Sequence, residues 1–561
     1  MLKFLATTIK WTLKALGLLL LILVVSIAAF SVYCGSISID NPADTSVNCT
    51  QKVCEGVLPT GEKVRRMGDN WLTKNKYGLW EMRVNGSAKE RGYAFGQLCD
   101  SLLYHQEKVF MNQIDELVPN RDYQKFLKYM IRFFNKDLPD FVWEENQEEI
   151  FAMSKACSPE FDYVGSPYER QLNFHAAHDL GHAMQDYMLV GCTSFATWGG
   201  ESENNELIVG RNFDFYVGDA FAENKMVAFF NPDSGVPFAM VTWPGMTGVC
   251  SGMNMAGVTV TINAAKSSMP TSAACPISLL ARHILQYAHN IDEARALAKA
   301  KTFVSESILI GSAADGCAEI IEKGVDTTGY YSVDKKQGWI VCANHYQSEV
   351  FKEDEGNKEN IANSDSPFRQ KRAQELIHRY APLNPQKAAQ ILRDKCGLGD
   401  SVIGLGNEKA LNQLLGHHSV VFAPERRMMW VSTAPWQEGA FVAYDLTKVF
   451  TNDSTSASLP VLVDSLTIAA DSVFIKSIEF QNYLQFRERK KTLLKTDCTD
   501  AEIADFVALN PRYYLAYDLA GDAYMQKRDT VAAKAFWKKA LQFDIPKKAE
   551  EERINWKLSH Y

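Results

Sequence analysis

The sequence lacks a surplus of positive charge: 59 Lys and Arg residues stand against 67 Asp and Glu residues, which gives a net charge of −8. Proteins that bind nucleic acid through its phosphates carry a basic surplus, so we expect no nucleic-acid partner. The sequence also lacks a P-loop and a dinucleotide-binding glycine fingerprint, and we expect no cofactor. Its 561 residues are expected to fold as two or three structural units.

Cysteine is scarce, with 12 residues in the whole chain, which is too few for a disulfide framework. Cys49 and Cys54 are close enough in sequence to pair. Most of the others lie in apolar surroundings, where a free thiol behaves as a small hydrophobic side chain. A chemical role for any one cysteine therefore has to be argued from its neighbours.

Charge is missing altogether from Ala15 to Tyr33, and these 19 residues approach the roughly 20 that a membrane-spanning helix needs. Three lysines precede the stretch, and the next basic residue is Lys52. The positive-inside rule then leaves the N-terminus cytoplasmic and the rest of the chain periplasmic or extracellular. The alternatives are a cleaved signal peptide, which would leave a secreted protein, and a lipid on Cys34.

The remaining chain divides by its residue patterns. After the membrane segment at 1–34, residues 35–191 are predicted to form a helical, propeptide-like region, because apolar residues recur at three- and four-residue spacing from about Asn70. Residues 192–450 contain short β-rich runs and two helical segments, which predicts a layered α+β domain. Residues 451–466 are predicted to be a polar linker.

Residues 467–561 are predicted to be helical. Within them, Tyr513 to Pro546 resembles one tetratricopeptide unit, a helix-turn-helix repeat. A single copy is too little for a freestanding array, so a helical hairpin packed on the preceding α+β domain is favoured. The alternative is a module that binds a protein partner.

Cys192 opens a strand-like run in the segment LVGCTSFATWGGESENNELIVGRNFDFY. A second strand then brings back Arg211 and Asp214, and an antiparallel return would lay them beside the start of the first strand. An unperturbed thiol is mostly protonated at neutral pH and needs a base or a nearby positive charge to become a good nucleophile. Arg211 can supply that charge.

A cut before Cys192 would supply the base. The α-amine of a new N-terminal cysteine titrates near neutral pH and lies within reach of its own sulfur, and Asp214 would orient it. Gly191 suits the cut, because a residue without Cβ lets the backbone strain while the thiol attacks the preceding carbonyl. Taken singly, Cys192 is equally a buried structural thiol, and Arg211 and Asp214 an ordinary ion pair.

The motifs GCTSF, GRNFDF, SGMNMAGV, ANHY and SPFRQKR, with the ending HHSVVF, MMWV and FVAYDL, follow one another over roughly 250 residues. In this order they resemble the penicillin acyltransferase family of N-terminal-nucleophile hydrolases, and more distantly the choloylglycine (bile salt) hydrolases. The resemblance implies a four-layer αββα sandwich, self-cleavage between Gly191 and Cys192, and attack by the new terminal cysteine on an amide or thioester carbonyl.

The same resemblance implies roles for later residues. Asn254 in GMNMAG matches the oxyanion-hole side chain, which donates an N–H to the negative oxygen that develops during the reaction. Asn344 in ANHY matches a second asparagine near the amine and the oxyanion. Either Arg369 or Arg372 matches a late arginine that holds the polar network together.

The predicted reaction is acyl transfer through a thioester on Cys192, to water in a hydrolase or to an amine in an acyltransferase. Water is favoured because an exported enzyme does not meet abundant acyl-coenzyme A. The substrate is predicted to be an amide with an apolar acyl group, such as an N-acyl amino acid, a lipid amide or a conjugated bile acid. The residues expected to form the acyl pocket are Phe213, Phe215, Tyr216, Trp243, Met253 and Met255. An inactive, membrane-tethered binding or assembly protein is the alternative from another class.

Histidines form a second pattern. His175, His178 and His182 share one face of a predicted helix, as zinc ligands would. There is no HExxH motif and no obvious downstream carboxylate ligand, so we expect packing or hydrogen bonding and no metal. His417 and His418 are predicted to be structural or to line the pocket.

Overall fold

The computed structural model describes residues 2–47, 51–176, 189–267, 273–302, 305–451, 459 and 461–561. Helix α1 spans Leu2–Ser36. Its stretch from Lys10 to Ser36, with a mean hydropathy of 2.8 and no burial, is long and apolar enough to cross a membrane. This agrees with the segment predicted from its missing charges.

Strands and helices alternate in blocks after α1. The first block is β1 Cys54–Val57, β2 Lys63–Met67, β3 Asn70–Lys74 and β4 Trp80–Gly86. The second is α2 Ala88–Leu98, α3 Asp100–Leu117, α4 Arg121–Asn135, α5 Glu144–Ser154 and α6 Pro167–His175. The helices agree with the prediction for residues 35–191, but β1 to β4 lie in the same range, so the prediction of a helical region is wrong for these four strands.

The region after Gly191 supplies most of the strands. They are β5 Leu189–Val190, β6 Thr193–Thr197, β7 Ile208–Phe213, β8 Phe215–Tyr216, β9 Met226–Pro232, β10 Phe238–Thr242, β11 Ser251–Asn254, β12 Val258–Ala264, β13 Glu306–Ser312, β14 Cys317–Lys323, β15 Thr328–Tyr331, β16 Trp339–Cys342, β17 His418–Ala423, β18 Met428–Ser432 and β19 Phe441–Asp445. Its helices are α7 Ile277–Tyr287, α8 Ile291–Leu297, α9 Glu355–Asn363, α10 Ser366–Tyr380, α11 Pro385–Leu392 and α12 Leu446–Thr451.

In the described chain these strands form two facing sheets and a short ribbon of β5 and β8. The larger sheet has the order β1-β2-β3-β4-β9-β10-β11-β12-β13-β14-β15, and the smaller has the order β16-β6-β7-β17-β18-β19. Helices α2, α7 and α8 contact the larger sheet, α10 and α11 contact the smaller, and β6 and β7 contact β12 across the gap. The predicted αββα sandwich is therefore confirmed.

Side-chain alternation along β6 explains the two layers of core. Ala196 packs in the core shared by the two sheets, whereas its neighbour Phe195 packs in the core beneath α10 and α11. Successive side chains of a strand point to opposite faces, so a sheet covered on both faces is apolar on both. Cys192 falls on the side of Ala196 and faces the larger sheet.

The strands that precede Gly191 belong to the same sandwich. Strand β4 pairs in parallel with β9, from Trp80 opposite Met226 to Gly86 opposite Pro232. A parallel pair needs a long crossover, and here the crossover contains helices α2 to α6. The part of the chain before Gly191 and the part after it therefore contribute strands to the same sheet.

The C-terminal region is helical, as predicted. Its helices are α13 Ser472–Ile475, α14 Ile478–Lys490, α15 Asp500–Leu509, α16 Tyr514–Gln526, α17 Thr530–Ala540 and α18 Lys548–His560. Helices α16 and α17 form a hairpin in which Gly521 lets Trp537 approach, since a Cβ there would lie 2.4 Å from the indole. Leu405 and Leu414 of the catalytic region pack with Tyr483 of α14. The hairpin therefore packs with residues of the preceding domain, as predicted, and the tetratricopeptide resemblance stays a prediction.

Part of the predicted linker is also structured. Leu462 bridges to Tyr444 and Ile468 bridges to Phe441, so this segment follows the edge of β19. Residues 452–458 and 460 of the predicted linker lie outside the described residues.

Candidate active site

Cys192 lies at the start of β6, between the two sheets, with 1% of its surface exposed. Strand β7 runs antiparallel beside β6, with Arg211 opposite Ser194 and Asn212 opposite Thr193. The strand return predicted from the sequence is therefore confirmed, and it brings Arg211 to the face of the sheet that Cys192 occupies.

The Arg211 guanidinium is fully buried and points at the thiol. One of its nitrogens donates to Cys192 Sγ at 3.6 Å. The same nitrogen also donates to the carbonyl of Ile262, and the second terminal nitrogen donates to the carbonyl of Cys250 at 3.0 Å and to the hydroxyl of Ser251. Within the described part of the chain, no carboxylate lies at ion-pair distance from it, so its charge is directed toward the sulfur.

Burial raises the pKa of the Cys192 thiol to about 11, and the charge on Arg211 opposes this rise. The thiol of the uncut chain is therefore protonated at neutral pH. A base must remove its proton before the sulfur can attack a carbonyl.

Asp214 is the carboxyl group beside this thiol. Burial raises its pKa to about 7, against the opposing charges of Arg369 and Arg211. Oδ1 accepts a long hydrogen bond from Gln437 at 3.5 Å, and Oδ2 has no partner among the described residues. Its backbone carbonyl accepts from the N–H of Gly191 at 3.0 Å. A buried carboxyl with an unused oxygen suits a group that is to receive a proton or an amine.

The sequence left Arg369 and Arg372 as alternatives, and the structure separates them. Arg369 donates to the backbone carbonyl of Cys192 at 2.7 Å and to Asn344 Oδ1 at 2.7 Å, and Asp365 holds its Nε at 2.9 Å. Arg372, one turn further along α10, instead bonds with Asp394, Glu375 and Asp400. Arg369 is the arginine at the candidate site.

The two predicted asparagines differ in the same way. Asn344 accepts from Arg369, and its amide donates to the carbonyl of Ala264 at 2.8 Å, which fixes it near Cys192. Asn254 donates both amide hydrogens, at 2.8 Å each, to the carbonyls of Leu285 and Ala288 at the end of α7. No hydrogen is left for an oxyanion, so the geometry contradicts the oxyanion-hole role predicted for Asn254.

The sequence reasoning missed Asn263. This buried asparagine on β12 accepts from Ser194 Oγ at 2.7 Å and donates one amide hydrogen to the carbonyl of Cys342 at 3.0 Å. Ser194 is two residues from Cys192 on the same face of β6. The signal was present in the run VTVTINAA, where an asparagine follows an alternation of apolar residues and threonines in a buried strand.

A cavity lies beyond Phe213, whose ring packs 4.2 Å from the Arg211 guanidinium carbon and 6.5 Å from the Trp243 ring. Its lining residues are Leu103, Gln106, Glu107, Phe110, Gln171, Phe174, Phe215, Phe221, Trp243, Pro244, Gly245 and Met246. Of the residues predicted to form an acyl pocket, Phe215 and Trp243 line this cavity. Tyr216, Met253 and Met255 do not.

The histidines of the predicted cluster lie only partly within the described residues. His175 is buried, its Nδ1 is 2.7 Å from the carbonyl of Gln171, and its Nε2 accepts from the N–H of Thr247 at 3.0 Å. Burial lowers its pKa to about 4, so a neutral packing role fits. His178 and His182 lie outside the described residues. In the part of the chain that the structure covers, no three His, Cys, Asp or Glu side chains gather as a metal site.

The two late histidines contact different neighbours of the site. His418 Nε2 is 2.8 Å from Ser251 Oγ, the hydroxyl that accepts from Arg211. His417 packs edge-on to Trp243 with the ring centres 5.2 Å apart.

Known proteins resemble parts of this chain. Among solved structures, the N-acylethanolamine-hydrolyzing acid amidase ortholog of Caenorhabditis elegans is 16% identical, with a TM-score of 0.31, over 42% of this chain and 93% of that one. Penicillin V acylase from Agrobacterium tumefaciens is 16% identical, with a TM-score of 0.29, over 46% and 87%. A conjugated bile acid hydrolase variant from Clostridium perfringens is 11% identical, with a TM-score of 0.34, over 47% and 94%. Scores this low add nothing to the fold described above.

The sequence comparisons concern the catalytic region. An uncharacterized protein of Archaeoglobus fulgidus is 24% identical over 233 residues, which are 39% of this chain. This chain spans 38% of the length of that relative. The family model described as acyl-coenzyme A:6-aminopenicillanic acid acyl-transferase matches residues 201–434, a range that begins after Cys192 and contains Arg211, Asp214, Asn344 and Arg369. Residues 201–434 are therefore similar to the acyl-coenzyme A:6-aminopenicillanic acid acyl-transferase family of enzymes.

Proposed function

We propose that this chain cuts itself between Gly191 and Cys192 and then cleaves amides through a thioester on Cys192. One observation carries the proposal: the buried Cys192 thiol lies against the Arg211 guanidinium, whose hydrogen bonds within the described residues go to the thiol, two carbonyls and a hydroxyl and to no carboxylate. A buried, uncompensated cation is expensive to maintain, and such charges are found where they act on a reacting group.

The surrounding groups suit the proposed chemistry of the cut enzyme. The new α-amine of Cys192 takes the thiol proton, with the unused oxygen of Asp214 holding the amine in place. The thiolate attacks the substrate carbonyl. The amine of the substrate then departs and receives the proton from the α-amine of Cys192. Water then hydrolyses the thioester and regenerates the thiol.

Two asparagines are placed to stabilise the oxyanion in this proposal. Within the described residues, Asn263 and Asn344 each give one amide hydrogen to a backbone carbonyl, which leaves the second for a substrate oxygen. Arg369 holds both Asn344 and the Cys192 carbonyl, so it positions the asparagine relative to the nucleophile. Donors fixed before the reaction stabilise developing charge without reorganising.

The cavity supports an amide with an apolar acyl group as the substrate. Its wall is mostly aromatic and aliphatic, and Phe213 connects it to Arg211. Phe110 and Phe174 come from the piece before the proposed cut, whereas Phe215 and Trp243 come from the piece after it. Both pieces must then stay together for the pocket to exist, as their shared sheet allows.

The family name raises an acyltransferase as the second candidate, with an amine in place of water. The proposed location favours water. Helix α1 would anchor the chain in the membrane with the catalytic region on the exported side, where acyl-coenzyme A is scarce. A protein partner bound by the C-terminal helices stays a prediction.

The test is to trap the thioester. The cut protein is mixed with N-acyl amides that carry straight, aromatic or polycyclic acyl groups, quenched in acid and mapped by mass spectrometry. We expect the acyl mass on Cys192 and a fall in its lifetime with added hydroxylamine. Competing amines that raise product formation without raising free acid would identify the acyltransferase. A folded, cut protein that never carries an acyl group would favour the alternative, an inactive binding or assembly protein.

A further inference from the structure

Gln413 contacts the peptide bond that is proposed to break. It lies in the segment before β17 and is 2% exposed. Its Nε2 donates to the carbonyl oxygen of Gly191 at 3.2 Å. That oxygen carries the negative charge when a nucleophile attacks the Gly191 carbonyl carbon.

Gly191 is shaped to admit this amide. A Cβ built on Gly191 would lie 2.2 Å from Gln413 Nε2 and 2.8 Å from its Oε1. Real Cβ atoms do not approach other heavy atoms so closely, so any side chain here would displace the amide. The glycine before the cysteine therefore has a second purpose besides backbone freedom: it leaves room for the donor.

The backbone around Gln413 is fixed on both sides. The Leu411 carbonyl accepts from Asn212 Nδ2 at 2.8 Å, and Asn412 donates to Glu438 Oε1 at 2.6 Å. Leu414 packs with the C-terminal helices. Side chains whose backbone is held this way keep their direction during a reaction.

We propose that Gln413 is a catalytic residue of self-cleavage, donating the hydrogen bond that stabilises the oxyanion on Gly191. This inference rests on the proposed function, because it concerns the cut that activates the enzyme. It adds a group that neither the strand pattern nor the late motifs indicate.

In the proposed self-cleavage, the Cys192 thiol attacks the peptide bond that precedes it. Asp214 takes the proton of the Cys192 thiol, and the sulfur forms a bond to the Gly191 carbonyl carbon, whose oxygen becomes an anion held by Gln413. The C–N bond to Cys192 breaks, and the nitrogen takes the proton from Asp214 to become the free α-amine. Water then attacks the Gly191 thioester: the sulfur leaves with one proton of the water as the Cys192 thiol, and the new carboxyl group of Gly191 gives the other proton to the free α-amine.

The experiment follows cutting of the full chain, made by cell-free translation into detergent or nanodiscs, with the fragments quantified over time by intact mass. The variants are Gln413→Ala and Gln413→Glu. Gln370→Ala is the matched control, since Gln370 is a partly buried glutamine of α10 that bonds to Gln347. Melting curves of each variant report folding.

We expect Gln413→Ala to cut about 10²-fold more slowly than the wild type, with Gln370→Ala unchanged, because removal of one oxyanion donor has an effect of this size. A glutamate at 413 donates only when protonated. The ratio of the Gln413→Glu rate to the wild-type rate should therefore rise as the pH falls, which a merely structural role would not produce.

The outcomes separate the two proposals. If the wild type never cuts, the proposed function fails. If the wild type cuts and Gln413→Ala cuts equally fast, the role of Gln413 is overturned while the proposed function stands. If Gln413→Ala melts at a lower temperature than the wild type, the test is the ratio of the Gln413→Glu cutting rate to the wild-type rate. A ratio that does not change with pH overturns the role of Gln413.

Discussion

Two fully buried arginines on the smaller sheet side of the molecule have opposite surroundings. Arg372 on α10 bonds with the carboxylates of Asp394, Glu375 and Asp400. Arg211 on β7 is surrounded by carbonyls, one hydroxyl and the Cys192 thiol. The first arrangement satisfies the charge and joins a helix to the segments that follow it, whereas the second leaves a charge available to a reacting group.

The difference between these two arginines indicates which buried charge can act on a reacting group. A buried cation lowers the energy of any anion formed beside it, and the thiolate of Cys192 is such an anion. The carboxyl groups follow the same division, because burial raises the pKa of Asp214 to about 7, while Arg379 and Arg372 lower the pKa of Asp400 to about 2. The predictions below test this division, beginning with the largest effect.

Replacing each arginine by methionine tests the comparison directly. We expect Arg211→Met to slow self-cleavage about 10³-fold, because the thiolate loses the guanidinium that donates to its sulfur. Arg372→Met should cut at the wild-type rate per folded molecule but unfold at a lower urea concentration, because Asp394, Glu375 and Asp400 lose their partner. Intact mass over time and urea unfolding give the two values. Equal cutting rates in both variants would refute the division.

The carboxyl groups give a second pair, Asp214→Asn and Asp394→Asn. We expect Asp214→Asn to cut 10² to 10³-fold more slowly, because the thiol loses its base. Wild-type cutting should rise with pH through a midpoint near 7, the pKa of Asp214. Asp394→Asn should retain this profile. A wild-type rate that falls as the pH rises would exclude Asp214 as the base.

The same pair predicts opposite stabilities. The pKa of Asp214 is higher in the folded chain than its ordinary value of 3.8, so ionisation of the folded state costs stability as the pH rises from about 4 to about 7. Asp214→Asn should therefore melt at a higher temperature than the wild type near pH 8, with the gain shrinking toward pH 4. Asp394→Asn should melt lower throughout, because Arg372 loses a partner.

The two asparagines sharpen the comparison for amide groups. Asn263→Leu should lower amide hydrolysis by the cut enzyme about 10²-fold in kcat with little change in KM, since Asn344 remains as a second donor. Asn254→Leu should unfold more easily, because three backbone groups lose their partner, while the folded fraction keeps its kcat. A loss of kcat in Asn254→Leu but not in Asn263→Leu would instead support Asn254 as the oxyanion-hole donor.

The smallest expected effect concerns the cavity. Phe174→Ala enlarges the pocket from the side of the first piece, and we expect kcat/KM to shift about tenfold in favour of bulkier acyl groups. Phe126→Ala, which removes an exposed ring of α4, is the control. Unchanged acyl preference in Phe174→Ala would place the acyl group elsewhere.

The sequence predicted the parts of the site that depend on local structure. Arg211 and Asp214 follow Cys192 by one antiparallel return, whose register sets Arg211 opposite Ser194. The Asp214 carbonyl then accepts from the N–H of Gly191. Asn344 and Arg369 came from the family resemblance, and in the structure Arg369 links the Asn344 side chain to the Cys192 carbonyl. The choice between Arg369 and Arg372 required the rotation of α10 against the sheet, which spacing along the helix does not give.

The missed features are those set by distant contacts. Strands β3 and β4 are short, and they are strands because β4 pairs with β9 across more than a hundred residues. Asn254 and Asn263 are both buried asparagines at or near strand ends, and only the position of α7 reveals which amide is fully used. Gln413 lies in an irregular segment, where no periodic pattern marks it.

The measurement that tests the account most directly is intact mass with N-terminal sequencing of the full chain, beside its Cys192→Ala variant. The account predicts two fragments from the wild type, one of which begins Cys-Thr-Ser-Phe, and a single uncut chain from the variant. A wild type that stays whole under conditions where it is folded would contradict self-cleavage and the N-terminal amine mechanism with it.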